Sequence, residues 1–154
     1  MSDADALTET QVREIAFRYL ARREYGVIEL ERKLRKRGVE GKLAERVIAG
    51  LVAENLVSDR RFAEAFSRQR VSGLYGPLRI RAELKARGVA DVLISDVLEP
   101  WSSEWQEHAQ QWVSKRVRGT PDYQQKARLY RSGRNRGFTH DQIMRALERT
   151  NRGK

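Results

Sequence analysis

The sequence predicts an all-α protein, an array of three tandem three-helix repeats with helix-turn-helix-like units. Three observations predict this. Apolar residues recur at spacings of three and four along the whole chain, and no strict period of two persists beside hairpin turn residues. Helix-start and helix-stop residues fall where that period begins and ends. The chain also repeats itself: YGVIELERKLRKRGV begins at Tyr25 and YGPLRIRAELKARGV at Tyr75. A shift of 50 aligns Leu34 with Leu84, Gly38 with Gly88 and Val39 with Val89, and a further 49 reaches Gly133, Gly137 and Phe138. A repeat of this length with three helices per unit is the signature of a helical array. The expected units are 1–57, 58–99 and 100–154.

The first unit opens with a helix over 8–23. Thr8 and Gln11 fit a capping box, in which a hydroxyl takes one orphan amide and the Gln reaches back for another. Val12, Ile15, Ala16 and Tyr19 form its apolar face. The second helix, 26–37, carries Leu30 and Leu34 and stops at Gly38, where a left-handed residue costs glycine nothing. That geometry packs Val39 back on Leu34. The third helix, 42–55, presents Val47, Ile48 and Leu51.

The second unit follows the same plan. Phe62, Ala65 and Phe66 mark a helix over 59–73. Gly76-Pro77 places a tolerated N-cap before a proline at the first helical position of a helix over 77–87. Ile80 and Leu84 face inward there, and Gly88 ends it. Ile94, Val97 and Leu98 give a helix over 90–98.

In the third unit, Ser103 and Gln106 fit a capping box for a helix over 102–118. Trp105 and Trp112 lie seven apart on it, on one face suited to core packing rather than base stacking. Thr120-Pro121 starts a helix over 121–136, and Thr139 with Gln142 caps the last, 140–150. This copy has Gly133 in place of the leucine and the larger Phe138 in place of the valine. Phe138 is expected to fill the vacated space, or the helix to bend or end early.

Composition narrows the chemistry. The 154 residues contain no cysteine, which excludes disulfides, Cys-ligated zinc, iron–sulfur clusters and thiol catalysis. A cytosolic protein is the simplest expectation. The opening MSDADALTETQ has neither the basic nor the apolar region of a signal peptide, and no apolar run is long enough to span a membrane. His108 and His140 are far apart, no phosphate-cradling glycine motif is present, and the paired acids Glu29/Glu31 and Glu104/Glu107 neighbour no nucleophile. No enzyme activity, cofactor or metal is expected.

Charge carries more information. Lys and Arg number 31 against 21 Asp and Glu, a net charge of +10. The excess is uneven: 89–112 holds five acids and no base, between the basic blocks 60–88 and 113–137. A solvated helical surface would account for any one block, but blocks this lopsided also suit a polyanion. Arg35, Lys85 and Arg134 align on the outer face of the second helix of each unit. Arg79 aligns with Arg128 where the first copy has Glu29, and 126–136 has five bases and no acid. The candidate nucleic-acid or filament-binding set is therefore Arg35, Arg68, Arg70, Arg79, Arg81, Lys85, Lys126, Arg128, Arg131 and Arg134. Arg37, Arg87 and Arg136 also align, at helix ends where a cation favours the helix dipole.

The segment LVSDRRFAEAFSRQRVSGLYGPLRIRAELKARGV, Leu56 to Val89, resembles the signature block of the bacterial regulatory protein family RecX. The matching positions are Asp59, Phe62, Ala63 and Glu64, then Gly76, Pro77, Ile80, Glu83 and Leu84; RGFTHDQIMRAL, from Arg136, resembles the family's C-terminal unit. Gly133 departs from the apolar residue of that pattern. The resemblance implies an elongated, curved array and a cytoplasmic modulator, usually an inhibitor, of the recombinase RecA. It implies binding along the groove of the RecA–DNA filament and depression of RecA's ATPase, strand-exchange and coprotease activities in DNA repair and the SOS response. Weak, non-specific binding of single-stranded DNA and a monomeric free state are expected with it. The alternative is a stand-alone helix-turn-helix-like DNA-binding protein or transcriptional regulator. A helical RNA-binding accessory protein is a third, weaker reading, because the sequence shows no base-stacking motif.

Overall fold

The computed structural model describes residues 6–152, with side chains to 150; residues 1–5 of the acidic N-terminus and the last two residues lie outside the described part. The described residues are helical with no strand. The first unit holds α1 (Glu9–Arg22), α2 (Val27–Lys36) and α3 (Gly41–Ala53). The second holds α4 (Asp59–Ser72), α5 (Pro77–Ala86) and α6 (Asp91–Leu98), followed by a 3-10 turn over Glu99–Trp101. The third holds α7 (Trp105–Arg116), α8 (Tyr123–Arg136) and α9 (His140–Arg152).

The caps explain most of these boundaries. Thr8 accepts from the Gln11 amide at 3.2 Å while Gln11 accepts from the Thr8 amide at 2.8 Å. Thr139 and Gln142 do the same at 3.2 and 2.9 Å. Two expected starts are corrected. The Ser103 box does not form; α7 starts at Trp105, and Gln106 instead donates across to the Gln142 carbonyl at 3.0 Å. Pro121 does not open α8 either. Asp122 is its N-cap, accepting from the Gln125 amide at 2.8 Å in a capping box. A third cap was hidden because glutamate is an unusual N-cap: Glu40 accepts from the amides of Lys42 and Leu43, both at 3.1 Å, and α3 begins at Gly41.

Each second helix ends in the same hydrogen-bonded turn. Val39 donates to the Leu34 carbonyl and Gly38 to that of Arg35; Val89 and Gly88 repeat this with Leu84 and Lys85, and Phe138 and Gly137 with Gly133 and Arg134, at 3.0–3.1 Å. The glycines sit at φ of 87°, 86° and 108°, the left-handed region this turn requires. The substitution to Gly133 therefore leaves the turn intact, and α8 is continuous through it. Phe138 does not fill its space. A methyl at Gly133 would lie 2.3 Å from Ile143 Cδ1 and 3.2 Å from the Trp112 ring, so α9 and α7 close on the bare backbone.

Three hydrophobic clusters correspond to the three units. Leu30, Leu34 and Leu51 centre the first, Ile80, Leu84 and Ile94 the second, and Trp112, Phe138 and Ile143 the third. Two residues cross between them. Trp105 of α7 is buried in the second core while Trp112 is buried in the third. The shared face expected of these tryptophans thus serves two cores from one helix. In return Leu74, left-handed at φ 60°, sets its side chain in the third core.

Candidate nucleic-acid interface

The junctions decide which cations remain free, and the two junctions are built alike. The start of a second helix docks on the glycine-ended turn of the next unit's second helix. At the first, a methyl on Gly88 would meet Ile28 Cβ at 2.5 Å, Arg32 donates to the Ala86 carbonyl at 2.8 Å, and Arg87 pairs with Glu29 at 3.8 Å. At the second, Gly76 and Leu78 donate to the carbonyls of Arg136 and Gly137, both at 2.9 Å, and Arg79 donates to that of Asn135 at 3.3 Å. Arg136 returns to the Leu74 carbonyl at 3.1 Å and also donates to the Gly73 carbonyl.

These contacts correct the reading of several aligned arginines. Arg87 and Arg136 are not explained by the helix dipole alone; each clamps one unit to its neighbour. Arg79 does not point freely outward. It pairs with Glu83 at 3.2 Å, lies 4.9 Å from the centre of the Tyr75 ring, and sits in the second junction. Arg70 also pairs with Glu83, at 2.8 Å, between the rings of Phe66 and Tyr75. Arg35 is exposed but pairs with Glu31 at 2.9 Å and folds over Gly41. Lys85 is exposed beside Asp91 at 3.5 Å, and Arg81 donates to the Ser95 hydroxyl at 3.2 Å.

The remaining candidates are Arg68 on α4 and four of the five cations of α8, all but Arg136. Among the described residues, none of Arg68, Lys126, Arg128, Arg131 and Arg134 has a carboxylate in ion-pair range. Helix geometry explains the α8 arrangement. Leu129, Tyr130 and Gly133 turn toward α7 and α9, so Arg128, Arg131 and Arg134, three residues apart, run obliquely along the outer side. Two cations that the candidate set missed extend this face. Arg116, at the end of α7, and Arg118 in the following loop line one cavity with Gln125, Arg128 and Ser132. Partial burial holds the Arg116 guanidinium below the usual arginine range, and the nearby Arg136 charge adds to this. The basic block 113–137 contained this signal, since Asp122 is its single acid.

A second groove lies between α8 and α9. Tyr123, Tyr130, Met144 and Leu147 line it, with Lys126, Arg131 and Glu148 among its polar residues. Tyr130 is fixed by a 2.9 Å hydrogen bond between its hydroxyl and His140 Nδ1. No group of three or more His, Asp or Glu able to hold a metal occurs among the described residues. The third unit therefore presents unneutralised cations beside cavities, an arrangement that suits phosphate-bearing polymers.

Three family models match the chain in series. The first three-helix domain of RecX matches residues 13–51, the second 58–98 and the third 103–147. The chain belongs to the RecX family. The regulatory protein RecX of Halorhodospira halophila is 41% identical over 148 residues, covering 95% of this chain and 91% of its own. That of Pseudomonas savastanoi pv. phaseolicola is 39% identical over 142 residues, covering 91% and 92%. The crystal structure of RecX from Lactobacillus salivarius superposes with a TM-score of 0.76 at 20% identity, over 93% of this chain and 96% of that one. A second crystal structure of regulatory protein RecX gives 0.80 at 20% identity, over 91% and 73%. At such identity these two structures speak to the fold. The RecX fold thus has three serial units here, and no described helix is long and apolar enough to cross a membrane.

Proposed function

We propose that this chain modulates, chiefly by inhibiting, a RecA recombinase, and that it does so on the RecA–DNA filament in the cytoplasm with no catalysis of its own. Membership of a regulatory family supports the regulatory part of this reading. One observation carries the filament part: three units are joined in series by similar docking contacts, and in the third unit the cations of α8 have no acid partner among the described residues. A filament presents successive subunits around a central polyanion. A serial protein can engage several subunits, each contact raising the effective concentration of the next. The α8 face meets phosphates, while the acidic stretch 89–112 meets basic protein. In this reading the bound protein depresses ATP hydrolysis, strand exchange and coprotease activity because it occupies the filament groove.

Single-stranded DNA alone is bound weakly and without sequence preference, because the contacts are to phosphates. The free protein is a monomer. Co-sedimentation at physiological salt tests the reading, with RecA–DNA filaments, free RecA and bare single-stranded DNA compared at equal protein. Retention on filaments well above either component is expected. Tight, sequence-selective binding to duplex DNA, with no preference for filaments, would favour a stand-alone helix-turn-helix DNA-binding protein instead.

A further inference from the structure

We propose that the groove between α8 and α9 is a stacking site for one unpaired nucleobase of a single strand, with Tyr123 as the platform. This rests on the reading of the third unit as a nucleic-acid-facing surface, and it adds the ring that would hold a base. Tyr123 is 86% exposed at the first position of α8. A tyrosine so exposed contributes little to the core, and tyrosine is not favoured by helix propensity. Its ring faces space rather than protein.

The surroundings suit a base with a phosphate at its edge. Tyr130, Met144 and Leu147 make the groove apolar, and Met144 is 40% exposed within it. The Tyr130 ring is held by His140 and cannot swing to close the gap without breaking that hydrogen bond. Lys126 and Arg131, both without a carboxylate in ion-pair range among the described residues, stand on the α8 wall, while Glu148 stands on the α9 side. Cations on one wall and apolar surface between fit a ligand with a planar apolar body and a charged edge. Arg128 and Arg134 extend the positive stripe beyond the groove along α8, which suits a chain of phosphates better than a single acidic side chain. The carboxylate of Asp122, next to Tyr123, already accepts from the Gln125 amide and turns back on the helix. Aromatic platforms in basic grooves bind single strands with little regard to sequence, because every base has a face.

The test compares two single strands of equal length, oligothymidylate and an abasic oligonucleotide, by fluorescence anisotropy with the full chain. Both carry the same phosphates. Wild type is expected to bind the base-bearing strand about tenfold more tightly. Tyr123→Ala should remove that preference and leave abasic affinity unchanged, and Tyr123→Phe should keep it. Equal wild-type affinities, or a preference that survives Tyr123→Ala, overturn the stacking site. So does a Tyr123→Ala variant with unchanged oligonucleotide binding but weakened RecA inhibition, which would assign the groove to an apolar protein segment. RecA ATP hydrolysis measured alongside separates the two ideas. Wild-type inhibition without base preference removes only the stacking site; base preference without inhibition removes the filament reading and keeps the site.

Discussion

The guanidinium of Arg136 lies 3.7 Å from the centre of the Tyr75 ring, at the point where the third unit meets the second. The same guanidinium donates to the carbonyls of Gly73 and Leu74, so one side chain satisfies the end of α4 and holds α8 against it. Arg136→Ala should lower stability by about 2–3 kcal/mol, from the lost charged hydrogen bonds and the cation–ring contact. Arg136→Lys should recover only a minor part, since an ammonium lacks the planar fork. Urea unfolding of both variants checks this; equal stabilities of lysine variant and wild type would show that the fork is not required.

Gly38 and Gly88 occupy equivalent left-handed positions, yet they differ in what surrounds them. A methyl at Gly38 meets nothing within 4 Å, whereas at Gly88 it meets Ile28 Cβ at 2.5 Å. Gly38→Ala should cost about 1–2 kcal/mol for the left-handed backbone alone. Gly88→Ala should cost about 1–3 kcal/mol more, because the first and second units must part to admit it. Matched losses in thermal unfolding would mean that the first junction contributes nothing to stability.

Gly133→Ala should destabilise despite a gain of about 1 kcal/mol in helix propensity, since the new methyl would sit 2.3 Å from Ile143 Cδ1. Ile143→Val in the same chain removes that atom and should restore part of the loss. A stabilised single variant would show that α9 yields freely. Phe138, fully buried, should cost about 3–5 kcal/mol on truncation to alanine, more than Val39→Ala in the first unit.

Much of this architecture was legible in the sequence, and the reasons are local. The Leu34/Leu84 and Gly38/Gly88/Gly137 alignment encodes the helix-ending turn, whose chemistry lies within six residues. The junctions were not legible, because Ile28 with Gly88 and Arg136 with Gly73 are set by how units dock, and no local pattern encodes that. The candidate site suffered for the same reason. Arg79 and Arg70 look as free in sequence as Arg128 and Arg131, but Glu83 takes the first pair and α8 has no acid for the second. Trp105 and Trp112 share a face, yet the face spans two cores.

The Glu40 cap makes α3 sensitive to acid. The amides of Lys42 and then Leu43 hold its carboxyl below the usual glutamate range. A carboxyl lowered on folding contributes stability that is present above its unfolded value and is lost as pH falls through the folded value. Glu40→Ala should therefore lower Tm at neutral pH, and the gap to wild type should close below the ordinary carboxylate range. A pH-independent gap would show that the carboxylate's charge is not what caps the helix.

ATP hydrolysis by RecA on saturating single-stranded DNA tests the central claim most directly. The protein is titrated against it beside a variant with Arg128, Arg131 and Arg134 all changed to Glu. Wild type should depress the rate at amounts well below one per RecA, and added free DNA should not relieve it. The triple variant should keep its helical circular dichroism, because all three side chains are exposed on α8, and should inhibit much less. An unchanged rate with equimolar wild type, or inhibition abolished by excess DNA, would contradict action through the filament.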